Sequence, residues 1–225
     1  MEATPNYAPV PPLFDDREDA GRRLSTELAG RPDLAGGNVI VVGLARGGVP
    51  VAAEVARSLG APLGVLAVRK VGHPLQPEFA LGAVTPGGVY LRETAGLTDE
   101  EIARVVDRAI AQAEEKAARL AAIAPPPDPA GAVCLIVDDG LATGATLIAA
   151  ARWARANGAA RVIAAVPVAS SEGASLIESE VDAVVCPYVT DAFWAVSVWY
   201  RRFEQVEDTT VEAILRDVAS GAEAT

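Results

Sequence analysis

The chain has 225 residues, of which 51% are hydrophobic, 22% charged and only 5% aromatic; that balance builds a globular domain and excludes a wholly disordered chain. Its formal net charge is -11, and Lys70 and Lys116 are its only lysines. A general basic surface for gripping nucleic acid or anionic lipid is therefore excluded, whereas a small anionic ligand held in a local nest of donors is not.

Residues 1–13 carry Pro5, Pro9, Pro11 and Pro12 and read as a disordered arm, which leaves residues 14–220 as one domain. The N-terminal stretch lacks the basic-then-apolar layout of a signal peptide, and no run approaches the ~18–20 apolar residues of a membrane span. The expected setting is the cytoplasm, with no membrane partner. Cys134 and Cys186 lie far apart in apolar runs and form no CxxC pair. They read as reduced, buried, inert thiols, and a single histidine, His73, does not make a zinc site of the usual kind.

In chain order, apolar spacing from Phe14 to Leu28 predicts a helix closed by Arg31-Pro32. Val39–Val42 is a β-branched run suited to a strand buried on both faces. It leads through Gly43-Leu44-Ala45-Arg46-Gly47-Gly48 into a helix from about Pro50 to Leu59, and Leu63–Val68 is the next strand. Residues 69–77, with Gly72, Pro74 and Pro77, read as a long loop, followed by a short hairpin of Ala80–Val84 with Val89–Leu91. Thr98 and Glu101 form a capping box for the longest helix, about 98–123, which the proline run from Pro125 stops.

The second half repeats the alternation. Strands are expected at Val133–Val137, Val162–Val168 and Ala183–Cys186, and helices at Thr143–Asn157 and Ser171–Ser179. Two further helices are expected, at Asp191–Gln205 and Thr209–Val218. Strands alternating with helices imply right-handed crossovers, so the expected fold is a single doubly wound α/β domain with a mostly parallel sheet.

The most informative segment runs from Cys134 to Thr146. A buried strand ends in Asp138-Asp139, and Thr143-Gly144-Ala145-Thr146 then opens a helix. Adjacent carboxylates at a strand's carboxyl end suit sugar hydroxyls or a hydrated Mg²⁺. Small hydroxylated residues at a helix N-terminus suit a phosphate, which backbone N–H groups, the helix dipole and threonine hydroxyls all reach. Together they spell a ribose 5-phosphate site, where any one residue alone would read as an acidic turn or an N-cap. No G-x-x-x-x-G-K-[ST], G-x-G-x-x-G or G-x-S-x-G occurs in a fitting context, which sets aside P-loop, dinucleotide-binding and common hydrolase readings.

This segment resembles the signature of the type I phosphoribosyltransferases, in which two acids, three variable residues and Thr-Gly-x-Thr follow a hydrophobic strand. Ala45-Arg46-Gly47-Gly48 is similar to that family's pyrophosphate loop, and Arg69-Lys70 with the segment behind it to its flexible catalytic loop. The resemblance spans about residues 38–170. It implies Mg²⁺-dependent transfer of a phosphoribosyl group from 5-phosphoribosyl 1-diphosphate (PRPP) to a small nitrogenous base or amine, with release of pyrophosphate.

In that frame Asp138 and Asp139 hold the ribose hydroxyls and, through ribose or water, the metal. Ala142, Thr143, Gly144, Ala145 and Thr146 cradle the 5′-phosphate. Ala45, Arg46, Gly47, Arg69 and Lys70 bind pyrophosphate, and the Gly72–Glu78 segment closes as a lid. Phe193 and Trp194 are base-stacking candidates, although Phe193, Val196, Trp199 and Phe203 stand at the helical spacing of core residues. Ala142 stands where 6-oxopurine salvage enzymes carry an acid, and adenine phosphoribosyltransferases have Ala-Thr-Gly there. Glu78 is then the expected general acid or base. A PRPP sensor without catalysis is the competing reading, and it lacks a DNA- or RNA-binding element in this sequence. The sequence leaves the oligomeric state open, a homodimer included.

Overall fold

The structure, a computed structural model, describes residues 11–35 and 37–222, so most of the expected proline arm lies outside it. In chain order its first half holds α1 (Arg17–Leu28), β1 (Val39–Ala45), α2 (Gly48–Leu59), β2 (Leu63–Ala67), β3 (Arg69–His73), β4 (Gln76–Thr85) and β5 (Gly88–Leu91). Next come α3 (Asp99–Ala121), β6 (Val133–Val137), α4 (Ala145–Ala156), β7 (Arg161–Ala165) and β8 (Val168–Ser170). The last elements are α5 (Ser171–Glu178), β9 (Ala183–Val185), β10 (Tyr188–Thr190), a 3-10 turn at Val196–Trp199 and α6 (Asp208–Ala222).

The apolar runs make one parallel five-stranded sheet in the order β2-β1-β6-β7-β9. Because successive side chains point to opposite faces, each strand feeds two cores. Ile40, Val42, Cys134 and Ile136 pack with Leu147, Ile148 and Ala151 of α4. Val41, Leu135 and Val137 pack with Leu24 and Leu28 of α1 and Val51 and Val55 of α2. Each fully buried aliphatic side chain contributes about 1.5–3 kcal/mol relative to exposure.

Strand order reverses at β1: the chain moves to β2 on one side and returns to β6 on the other. In open α/β sheets such a switch point opens a crevice at the strands' carboxyl ends. Register pairs Gly43 with Val137, so the residues following the two strands, Arg46-Gly47 and Asp138-Asp139, emerge side by side.

Three expectations need correction. Residues 69–77 are not a long loop: β3 and β4 form a hairpin turning at Pro74-Leu75, with β5 completing a three-stranded sheet. Gly72 sits where the β3–β4 register shifts, the bulge that a glycine accommodates. Val71, Leu81 and Val84 are buried against Ala109 and Ala113 of α3, which is what holds the hairpin in place.

The expected helix over Asp191–Gln205 does not form either; a 3-10 turn at Val196–Trp199 and irregular chain occupy that span. Its backbone pairs instead with the chain ahead of α1. Leu13 N and Phe14 N donate to Trp199 O at 2.9 and 3.0 Å, and Arg201 N and Arg202 N donate to Phe14 O and Asp15 O at 2.8 and 2.9 Å. The aromatic spacing that suggests a helix instead gathers Trp199, Tyr200 and Phe203 around Phe14. The strand expected at Val162–Val168 is also divided, because residues 168–170 leave the main sheet and pair with β10.

Candidate functional site

The crevice at the switch point is a cavity of about 550 Å³ lined by Arg17, Arg46, Gly47, Asp138, Asp139, Val196, Phe203, Gln205 and Val206. Gly47 and Gly48 are there because nothing larger fits. A side chain on Gly47 would overlap the Asp139 carboxylate, and one on Gly48 would come within 2.6 Å of Val137 O and 2.8 Å of Asp138 Cα. The close approach of the β1 loop to the acid pair therefore depends on both glycines. The peptide bond between Ala45 and Arg46, at the head of this loop, is cis.

Both acids are largely withdrawn from solvent. Burial, with the neighbouring Asp139 charge, pushes the Asp138 carboxyl well above its ordinary range, against the Arg17 charge and a bond from Thr146. Burial also raises Asp139, and Arg17 opposes the rise. Arg17 Nε donates to Asp139 Oδ2 at 2.8 Å, Asp139 N donates to Asp138 Oδ1 at 2.9 Å, and the Tyr200 hydroxyl donates to Asp139 O at 2.5 Å.

The loop after the acids is tied down before the helix begins. Leu141 N donates to Val168 O, and Ser170 N to Leu141 O, at 2.9 and 2.8 Å; Ser170 Oγ donates to Ala142 O at 2.5 Å. Gly144 then caps α4 in the left-handed region, φ +79°, which favours glycine. First-turn N–H groups have no carbonyl partner within their own helix, so Ala145 and Thr146 open the kind of N-terminus that accepts a phosphate. Thr143 and Ala142 are exposed beside it.

Arg46, which lines the cavity of the acids, also reaches toward α6, with Nη1 3.9 Å from Asp208 Oδ1. Lys116 Nζ of α3 meets the same carboxylate at 3.0 Å, and Arg119 bonds it as well. Arg69 and Lys70 line a different cavity, of about 560 Å³, between β3 and α3, where Arg69 Nη2 donates to Gln112 Oε1 at 2.7 Å. Glu78 stands on β4, and its side chain lies outside what is described. Phe193 stacks on Trp199 with ring centroids 6.2 Å apart, while Trp194 is 69% exposed. Neither lines the cavity of the acids; Val196 and Phe203 do.

The chain matches the family described as Phosphoribosyl transferase domain over residues 14–201. It belongs to that family. Relatives in two strains of Mycobacterium tuberculosis, each named "Putative phosphoribosyl transferase", are 43% identical over 208 residues, 90% of this chain. The chain spans about half of their length, 46%. A crystal structure of a Thermus thermophilus protein is 40% identical, with a TM-score of 0.76 over 91% of this chain and 98% of that one. An Aquifex aeolicus structure, 15% identical over 87% of this chain and 84% of that one, shares the fold at a TM-score of 0.51.

Within this phosphoribosyl transferase domain, sequence reasoning missed Arg17, Val196, Gln205 and Val206 as cavity residues. Arg17 is separated from Asp139 by 122 positions. Its one local sign is that it is the cation in the acidic run Asp15-Asp16-Arg17-Glu18-Asp19.

Proposed function

We propose that the chain transfers a 5-phosphoribosyl group from PRPP to a nitrogenous acceptor, with release of pyrophosphate. One observation carries this reading: the Asp138-Asp139 pair and the N-terminus of α4 follow a single strand, facing the Arg46-Gly47 loop across the switch-point crevice.

Asp138 and Asp139 accept hydrogen bonds from the ribose hydroxyls and so fix the sugar with C1 exposed to attack. The N–H groups and hydroxyls of Thr143 to Thr146 hold the 5′-phosphate at the far end of the sugar. Arg46 turns from Asp208 to the diphosphate, where its charge offsets the negative charge that grows as the C1–oxygen bond breaks. Arg69, Lys70 and the exposed tip of the β3–β4 hairpin, beyond its base buried against α3, close from the other side and exclude water, which would otherwise hydrolyse the donor.

The donor set fits Mg²⁺. Among the described residues no three metal-ligating side chains gather, and Mg²⁺ is commonly held by one or two carboxylates together with substrate phosphates and water. Asp138 and Asp139 would hold it through ribose or water. When bound, the ion supplies charge neutralisation on the leaving diphosphate.

The acceptor we propose is a base lacking the 6-oxopurine pattern, because Ala142 neither accepts nor donates a proton. Glu78, brought in by the hairpin, is the proposed general acid or base. The test is pyrophosphate release from Mg-PRPP with adenine, hypoxanthine, guanine, orotate and uracil, using wild type, Asp138→Asn/Asp139→Asn and Glu78→Gln. We expect turnover with at least one acceptor other than hypoxanthine and guanine, no turnover in the double variant, and a slowed chemical step in Glu78→Gln. Full activity of the double variant overturns the assignment.

A further inference from the structure

We propose that Arg17, the first residue of α1, is a positioning residue for the ribose subsite: it holds the Asp139 carboxylate by one oxygen and presents the other to the sugar. This rests on the reading of Asp138 and Asp139 as ribose acceptors. A cation is out of place where Arg17 stands, in the first turn of a helix, whose positive dipole end favours the acids Glu18 and Asp19 beside it. The local sequence does not account for it, whereas the tertiary contacts do.

The Arg17 side chain is only 11% exposed, and three groups fix its plane. Nε donates to Asp139 Oδ2 at 2.8 Å, Nη1 donates to Glu204 O at 2.8 Å, and the guanidinium lies 3.8 Å from the centre of the Phe203 ring. A flat, forked cation held on three sides has one orientation, and it passes that orientation to the carboxylate it binds. Tyr200 holds the same residue from its backbone carbonyl. Asp139 is therefore gripped by its carbonyl and by Oδ2, leaving Oδ1 for a ribose hydroxyl. Among the described residues, Arg17 makes the one ion pair to either acid of the pair. Without it, two adjacent carboxylates would repel each other in a poorly solvated crevice.

The role is specific to the sugar, which separates it from a general structural contribution. Affinities for Mg-PRPP and for Mg-pyrophosphate are to be measured by calorimetry in wild type, Arg17→Gln and Arg17→Lys. Arg17→Gln is expected to weaken PRPP binding roughly 10–100-fold, the range found when the partner orienting a ligand-holding group is removed, and to leave pyrophosphate affinity within about twofold. Arg17→Lys keeps the charge, so it supports folding if the glutamine variant fails. Lysine lacks the fork that spans Asp139 and Glu204, so an intermediate loss for PRPP alone is expected. Equal losses for both ligands, or unchanged PRPP affinity in either variant, overturn the positioning role. A wild type that binds pyrophosphate but not PRPP overturns the ribose reading itself, and this role with it.

Discussion

The Asp138 carboxyl is out of balance with its own fold. Its carboxyl is raised by burial and by the charge of Asp139. In the unfolded chain it loses its proton near the ordinary value of about 3.9, so ionisation begins to favour unfolding once the pH passes that point. In metal-free buffer at pH 7, Asp138→Asn is therefore expected to raise the melting temperature by on the order of a few degrees. The gain should shrink as the pH falls toward 4 and vanish below it, where the carboxyl is protonated in the folded and the unfolded chain alike; scanning calorimetry across that range reads it. The cysteines are a second case. Burial pushes the thiol of Cys134 up to about 12 and that of Cys186 to about 11, where backbone hydrogen bonding at Tyr188 only partly offsets the rise. Thiolate is the reactive form, so neither should be alkylated by iodoacetamide in the native protein at pH 8. Both should react in denaturant, and mass spectrometry counts the adducts.

At the scale of elements, α6 is docked by an apolar face and by one carboxylate. Val211 and Leu215 pack with Val49 of α2 and Leu120 of α3, while Asp208, in its first turn, meets Arg46, Lys116 and Arg119. Burial works against the ionised Asp208, but the bonds from Lys116 and Arg119 outweigh it and hold the carboxyl below its ordinary value. A depressed carboxyl contributes stability above its unfolded value, and that contribution is lost as the pH falls through the folded value. Hydrogen exchange should therefore show α6 loosening below about pH 4 ahead of the central sheet. Asp208→Asn should produce the same loosening at pH 7, with a cost of about 1–3 kcal/mol, between that of an exposed and a fully buried pair. If α6 exchanges no faster in that variant, its apolar face alone secures it.

At the scale of the whole molecule, ligand and fold are linked by mass action. A ligand that binds only the folded state raises stability by about 2.7 kcal/mol at one hundred times its dissociation constant. PRPP with Mg²⁺ should thus shift the melting temperature upward. Thr143→Ala with Thr146→Ala should remove most of that shift, because the two hydroxyls border the N-terminus of α4. An equal shift in both proteins would put the phosphate elsewhere. The net charge of -11 gives the same experiment a second reading: cations converging on Asp208 and lining the β3–α3 cavity are local exceptions on an acidic chain, so anions should bind with strong salt dependence.

The sequence by itself determined the parallel sheet, the helices on its faces, the capping box at Thr98 and the Asp138–Thr146 motif. These follow from local rules: β-branched runs, 3.6-residue periodicity, caps and a helix N-terminus act over a few neighbours and are legible in order. The tertiary structure decided the rest. Residues 69–77 became part of a hairpin because Val71 and its partners on β4 found an apolar face on α3, despite the glycine and prolines between them. The stretch from Asp191 to Gln205 gave up its helical spacing because Phe14 and Asp15 offered backbone partners from the far end of the chain. Arg17 reached Asp139 for the same reason. Contacts between residues more than a hundred positions apart leave no periodic trace, since each depends on where two separately folded segments are brought together, and only the packed molecule contains that information.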